Sequence, residues 1–164
     1  MNVTNIKNGD IDRAEKLIKK VDGVNAKHEL GRTALMYAGM YGYADVAKML
    51  IEKGADVNAK DELGRTALMY AGTYGYADVA KMLIEKGADV NAKDKFVRTA
   101  LMYAEVYGYT GLAKMLIEKG ADVNAKDKFG MTALMYAGEH WYTDVARLLA
   151  DSQTANFLRQ DKPE

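Results

Sequence analysis

The 164-residue chain has no cysteine, one serine (Ser152), two histidines (His28 and His140) and one tryptophan (Trp141). Each scarcity removes a class of chemistry. Without cysteine there are no disulfides, no thiolate nucleophile and none of the common zinc sites. With the lone serine and the two histidines far apart in sequence, no nucleophile–base pair or histidine metal site is evident, and no catalytic residue or cofactor is expected. Charge of one sign is also missing: Lys plus Arg is 23 and Asp plus Glu is 23. That balance gives no bulk reason to expect a nucleic-acid or membrane partner. No apolar run has the length of a signal peptide or a bilayer span, so a cytoplasmic location is expected. The single proline stands in the terminal Lys162-Pro163-Glu164, where the tail is expected to fray.

What is present is repetition. TALMYAG occurs at Thr33, Thr66 and Thr132, and TALMYAE at Thr99, at a constant spacing of 33 residues. Residues 28–60 and 61–93 differ at two positions, His28/Asp61 and Met40/Thr73; residues 94–126 differ from the second copy at eight. A period of this length marks a stack of supersecondary units, none of which can bury its apolar face alone. The expected division of the single domain 1–164 is a partial unit at 1–27, full units at 28–60, 61–93 and 94–126, and a C-terminal capping unit at 127–164.

Within a unit, Thr33 is positioned as an N-cap and Gly42 as a left-handed stop, which predicts a short helix over 34–41. A second helix follows over about 44–53, with Val46, Met49 and Leu50 on its apolar side and Asp45, Lys48 and Glu52 on its wet side. GADVNAKDELGR then reads as an extended segment with a tight turn, with a glycine such as Gly64 where positive φ is needed. Together, D-x-x-G-R-T-A-L-M-Y-A-G-x-Y-G-Y and GADVNA resemble the ankyrin repeat over about residues 9–150. The resemblance implies an all-α ankyrin-repeat solenoid: helix–turn–helix units joined by β-turn or hairpin loops and stacked into a curved array. Two departures stand out. T-A-L-M replaces the family's T-P-L-H, and G-Y replaces its G-H. Met36, Met69, Met102 and Met135 are expected to fill by packing the space of the lost histidine.

On a helical wheel, Leu35, Ala38, Gly39 and Gly42 share one side, and Tyr37, Met40 and Tyr41 the other. The second set recurs as Tyr70, Thr73, Tyr74, then Tyr103, Val106, Tyr107, then Tyr136, Glu139, His140. The resemblance implies that these positions, with the turn tips, line a concave groove. Tyrosine suits a recognition surface, although packing between repeats accounts equally well for Tyr37 and its equivalents. Tyr43, Tyr76, Tyr109 and Tyr142 read as structural. The tips add Leu30, Leu63, Phe96 and Phe129, the column Arg32, Arg65 and Arg98 that is broken at Met131, and a change from Glu29 and Glu62 to Lys95 and Lys128. The expected partner is therefore another protein or peptide, an acidic segment of which would be steered to the C-terminal half. A monomer is expected.

Three irregularities are notable. Val97 replaces a turn glycine and predicts a changed or weakened turn. Gly111 replaces the helix aspartate, which makes 94–120 the least regular unit, and Trp141 beside His140 suits an end cap. The calcium-like D-V-N-A-K-D has lysine where an oxygen ligand is needed, Gly39 and Gly42 make no phosphate loop, and the sequon at Asn2 has no secretion signal beside it. The leading reading is a non-catalytic protein-interaction module. The alternatives are an engineered ankyrin scaffold, an aromatic-cage binder of a small ligand and, last, a basic-groove nucleic-acid binder.

Overall fold

The computed structural model describes residues 23–139 together with Arg147, Ala150 and Asp151. The expected partial unit up to residue 22, the cap around His140 and Trp141, and the tail lie outside the described residues. The helices bounded within the described residues are, in order, α1 Ala34–Tyr41, α2 Ala44–Glu52, α3 Ala67–Tyr74, α4 Ala77–Glu85, α5 Ala100–Val106, α6 Thr110–Glu118 and α7 Ala133–Glu139. Among the described residues there is no strand. The short helices α1, α3, α5 and α7 pack one on the next, and α2, α4 and α6 form a second row behind them.

The caps explain where each short helix begins and ends. The Thr33, Thr66 and Thr99 hydroxyls accept from the N–H groups of Met36, Met69 and Met102, each at 3.4 Å. In the first unit Met36 Sδ also accepts from the Thr33 N–H at 3.5 Å, so the methionine completes a capping box. Met36, Met69 and Met102 are fully buried, as expected of packing groups. Met135 departs from that expectation. It is 49% exposed, whereas its three equivalents are enclosed by neighbouring helices. Gly42 and Gly75 stop α1 and α3 in the left-handed region at φ 74° and 78°. The ring carbons of Tyr76 and Tyr109 lie 2.5 and 2.6 Å from where a Cβ would stand on those glycines. That contact assigns Tyr76 and Tyr109 to repeat packing.

The core runs unbroken through the stack. Leu35, Leu50, Leu68, Leu83, Leu101 and Leu116 are each at most 1% exposed. Val46, Met49 and Leu50 face inward on α2, and Asp45, Lys48 and Glu52 face solvent. Close helix approach depends on small residues in the short helices: a Cβ at Gly39 would stand 2.6 Å from the Ala67 carbonyl oxygen, and one at Gly72 2.8 Å from that of Ala100.

GADVNAK owes its repetition to a ladder along the stack. Nδ2 of Asn25, Asn58 and Asn91 donates to the carbonyls of Gly54, Gly87 and Gly120, while their Oδ1 atoms accept from the N–H of Asp56, Asp89 and Asp122. Each asparagine thus satisfies two backbone groups of the following unit. Lys27 and Lys60 donate through Nζ to the carbonyls of Lys60 and Lys93.

Candidate functional site

The turn tips are joined one to the next. The N–H groups of Glu62, Lys95 and Lys128 donate to the carbonyls of Leu30, Leu63 and Phe96 at 3.0, 2.9 and 2.8 Å. Each tip is shaped by its first aspartate. Asp61 Oδ1 accepts from the N–H groups of Leu63 and Arg65, Asp94 Oδ1 from Phe96 and Arg98, and Asp127 Oδ1 from Phe129 and Met131. The other oxygen is reserved for a tyrosine nine residues later: Tyr70 to Asp61 at 2.7 Å, Tyr103 to Asp94 at 2.7 Å and Tyr136 to Asp127 at 2.6 Å.

This pairing corrects part of the expected groove. Tyr70 and Tyr136 are buried, with their hydroxyls committed to carboxylates, so they brace the turn instead of facing a partner. Met40 is also buried: the wheel places it away from its own second helix, but α3 packs over that flank. Tyr37 and Tyr103 are half-buried, as are Tyr41, Thr73, Val106 and Met131. The Thr73 hydroxyl donates to the Met69 carbonyl within its own helix. Tyr74 and Tyr107 are exposed, at 47% and 52%. His140 lies outside the described residues.

The first tip differs because His28 occupies the aspartate position. No side-chain acceptor caps that turn, and Leu30 enters the left-handed region at φ 60°. Tyr37 then meets the His28 ring edge-on at 6.5 Å. Val97 was expected to deform or weaken its turn. It adopts φ 63° instead, and its N–H donates to the Asp94 carbonyl at 3.0 Å as Gly64 does to Asp61. The turn keeps its shape because Asp94 holds it from within, and the strain is carried by the valine backbone.

The arginine column is half-buried and largely engaged. Arg32 Nε donates to Tyr70 Oη at 2.9 Å, and Arg65 Nε pairs with Asp61 Oδ2 at 3.0 Å. Arg98 Nε reaches toward Asp127 Oδ2 at 3.6 Å and makes no hydrogen bond. Burial opposes ionisation of Asp61, but hydrogen bonds from Tyr70 and Arg65 outweigh it and hold the carboxyl below the usual range. Asp127 is likewise lowered: burial is outweighed by bonds from Tyr136 and the Met131 and Phe129 backbone. Burial and the Asp61 contact push the Tyr70 phenol up to about 12, and burial with Asp94 raises that of Tyr103.

What remains open to solvent is a row of apolar tips, Leu30 (53% exposed), Leu63, Phe96 and Phe129 (66%), together with Tyr74 and Tyr107 at the C-terminal ends of α3 and α5. Lys95 and Lys128 are exposed beside the two phenylalanines. The Arg98 guanidinium lies 5.5 Å from the Phe96 ring centroid and 5.9 Å from that of Phe129. Next to it, Arg98, Met102, Tyr103, Val106, Tyr107 and Tyr136 line a shallow depression of about 190 Å³. Three tyrosines converge here, which a plain ladder does not give. Arg98 lies 6.0 Å from the Tyr136 centroid, so the cluster already holds a cation of its own.

Sequence reasoning missed the aspartates, the asparagine ladder and the fully buried Glu105. A signal for the first was present: an aspartate nine residues before tyrosine in the last three units, with histidine in the first. Among the described residues no helix is long and apolar enough to cross a membrane, and no group of three His, Cys, Asp or Glu could hold a metal ion.

The family model described as ankyrin repeats (3 copies) matches residues 3–94 and 92–161. A search of curated proteins finds no match. Ankyrin repeats are generally protein–protein interaction modules, and the family is typically non-catalytic. The match spans most of the chain, and the stacked pairs of helices agree with it: the chain belongs to the ankyrin-repeat family.

Proposed function

We propose that this chain is a non-catalytic docking module that takes a protein or peptide along the row of turn tips, with Tyr74 and Tyr107 as its aromatic anchors. The observation that carries this reading is the contiguity of exposed apolar side chains. Leu30, Leu63, Phe96 and Phe129 sit on successive tips tied together by backbone hydrogen bonds, and each is between 38% and 66% exposed. Contiguous apolar surface of this kind generally marks a contact site. The tips are also rigid before any partner arrives, which lowers the ordering cost of binding.

Charge gives the partner a direction. The first two tips carry Glu29 and Glu62, whereas the last two carry Lys95 and Lys128. An acidic stretch next to an aromatic or aliphatic residue fits the C-terminal half, its charge raising the association rate and its apolar side chain supplying contact area. Selection of peptides from a random display library against the intact chain tests this. Enriched peptides should be acidic, weaken as salt screens the lysines, and lose affinity to a Tyr74→Ala/Tyr107→Ala variant. Enriched peptides that bind this variant as well as the intact chain would place the docking face elsewhere.

A further inference from the structure

Glu105 occupies a position that the two preceding units give to glycine. Gly39 and Gly72, at the same place in α1 and α3, let the following helix approach until its backbone carbonyl would sit against a Cβ. The same register puts residue 105 on the side of α5 that meets Ala133 of α7, and there the chain carries a full carboxylic acid. Glu105 is 0% exposed, and neither Oε1 nor Oε2 has a hydrogen-bond partner. A buried carboxylate without a donor or counter-charge is among the most costly groups to place in a helix interface.

Among the described residues, no hydrogen bond or ion pair relieves that cost. The elements packed on α5 carry Tyr70 and Tyr74 on α3, Lys114 and Glu118 on α6, and Tyr136 and Glu139 on α7. The Tyr70 and Tyr136 hydroxyls are spent on Asp61 and Asp127. Lys114 and Glu118 lie on the exposed side of α6, and Tyr103 on α5 itself donates to Asp94. Burial alone pushes the Glu105 carboxyl up to about 8, so the neutral acid is the form the interface tolerates.

We propose that the contact between the third and fourth repeats is a proton-gated joint: with Glu105 neutral, α5 and α7 stay packed, and with Glu105 ionised, the carboxylate is hydrated and the fourth repeat loosens from the stack. In a linear array such an opening need not spread, because each unit depends only on its neighbours. The fourth repeat carries Lys128, Phe129 and Tyr136, so opening would remove one end of the tip row. The joint does not depend on what the tips bind.

Native-state hydrogen exchange on the full chain between pH 5 and 9, for wild type, Glu105→Gln and Glu105→Gly, tests this. One proton is released when the joint opens. Protection factors of amides in α5 and α7 should therefore fall about tenfold per pH unit from 5 toward 8 and level off above it. Amides in α1 and α3 should not follow. Both variants should be flat over the window; Glu105→Gly restores the residue of the earlier repeats and serves if the glutamine variant folds poorly. A slope that persists in both variants would overturn the proposal. A flat wild type, or a slope shared equally by α1 and α3, would overturn it as well.

Discussion

Single residues decide how each turn is held, and the three aspartate–tyrosine pairs are not equally supported. Asp61 Oδ2 accepts from both Tyr70 and Arg65, whereas Asp94 Oδ2 has Tyr103 as its hydrogen-bond donor and Arg98 has swung toward Asp127. Removing one hydroxyl should therefore be costlier in the third unit. Tyr103→Phe is expected to destabilise the chain by about 1–3 kcal/mol, and Tyr70→Phe by less, in parallel urea unfolding curves. The reverse order would mean that losing the Arg32 hydrogen bond to Tyr70 outweighs the support Arg65 gives Asp61. Val97 supplies the opposite case. Its φ of 63° is strained for a β-branched residue, so Val97→Gly should raise stability by about 1 kcal/mol in thermal unfolding. A lowered melting temperature would mean that valine packing at the tip outweighs the backbone strain.

At the scale of the helices and turns, most of the architecture was legible in the sequence because local signals and tertiary packing agree. Threonine caps, left-handed glycine stops and the apolar side of the second helix all act within one unit, and the α1 boundaries emerge as expected. The face of the short helix was less legible. A wheel reports which residues point away from the helix's own partner, but it cannot show that the next unit covers the same flank. Met40 was lost to burial in this way, and Tyr70 and Tyr136 were lost to their own turns, where Asp61 and Asp127 take their hydroxyls, while Tyr74 and Tyr107, nearer the helix end, stay exposed. Thus a position that varies between units need not be a contact. The set proposed here is smaller and more polarised: four apolar tips, two tyrosines and the lysines of the last two tips. Within that set, Phe129→Ala should leave the thermal transition almost unmoved, since its ring is mostly in solvent, while weakening any peptide selected on the intact chain.

For the whole molecule, the buried acids set opposing pH limits. Asp61 and Asp127 are held below the ordinary carboxylate range, so the stability they add is present above their unfolded values and is lost as pH falls through about 4. Glu105 is raised to about 8, so the interface is fully stable only below its ordinary value, and stability declines as pH climbs toward 8. Together these limits place maximum stability near pH 5, with Glu105→Gln flattening only the alkaline side; urea midpoints measured from pH 3 to 9 would show a neutral optimum if the buried acid were relieved in solution. The stack thus has an interior held by carboxylate and asparagine hydrogen bonds, and a row of partly exposed apolar tips that we propose as the contact surface for another chain. Affinity capture from a lysate tests that central claim most directly, with the intact chain and a Tyr74→Ala/Phe96→Ala/Tyr107→Ala variant, shown to be folded, as paired baits. A protein retained by the intact chain and lost by the variant is the expected result. Equal retention by both would contradict it and move the contact surface away from the tips.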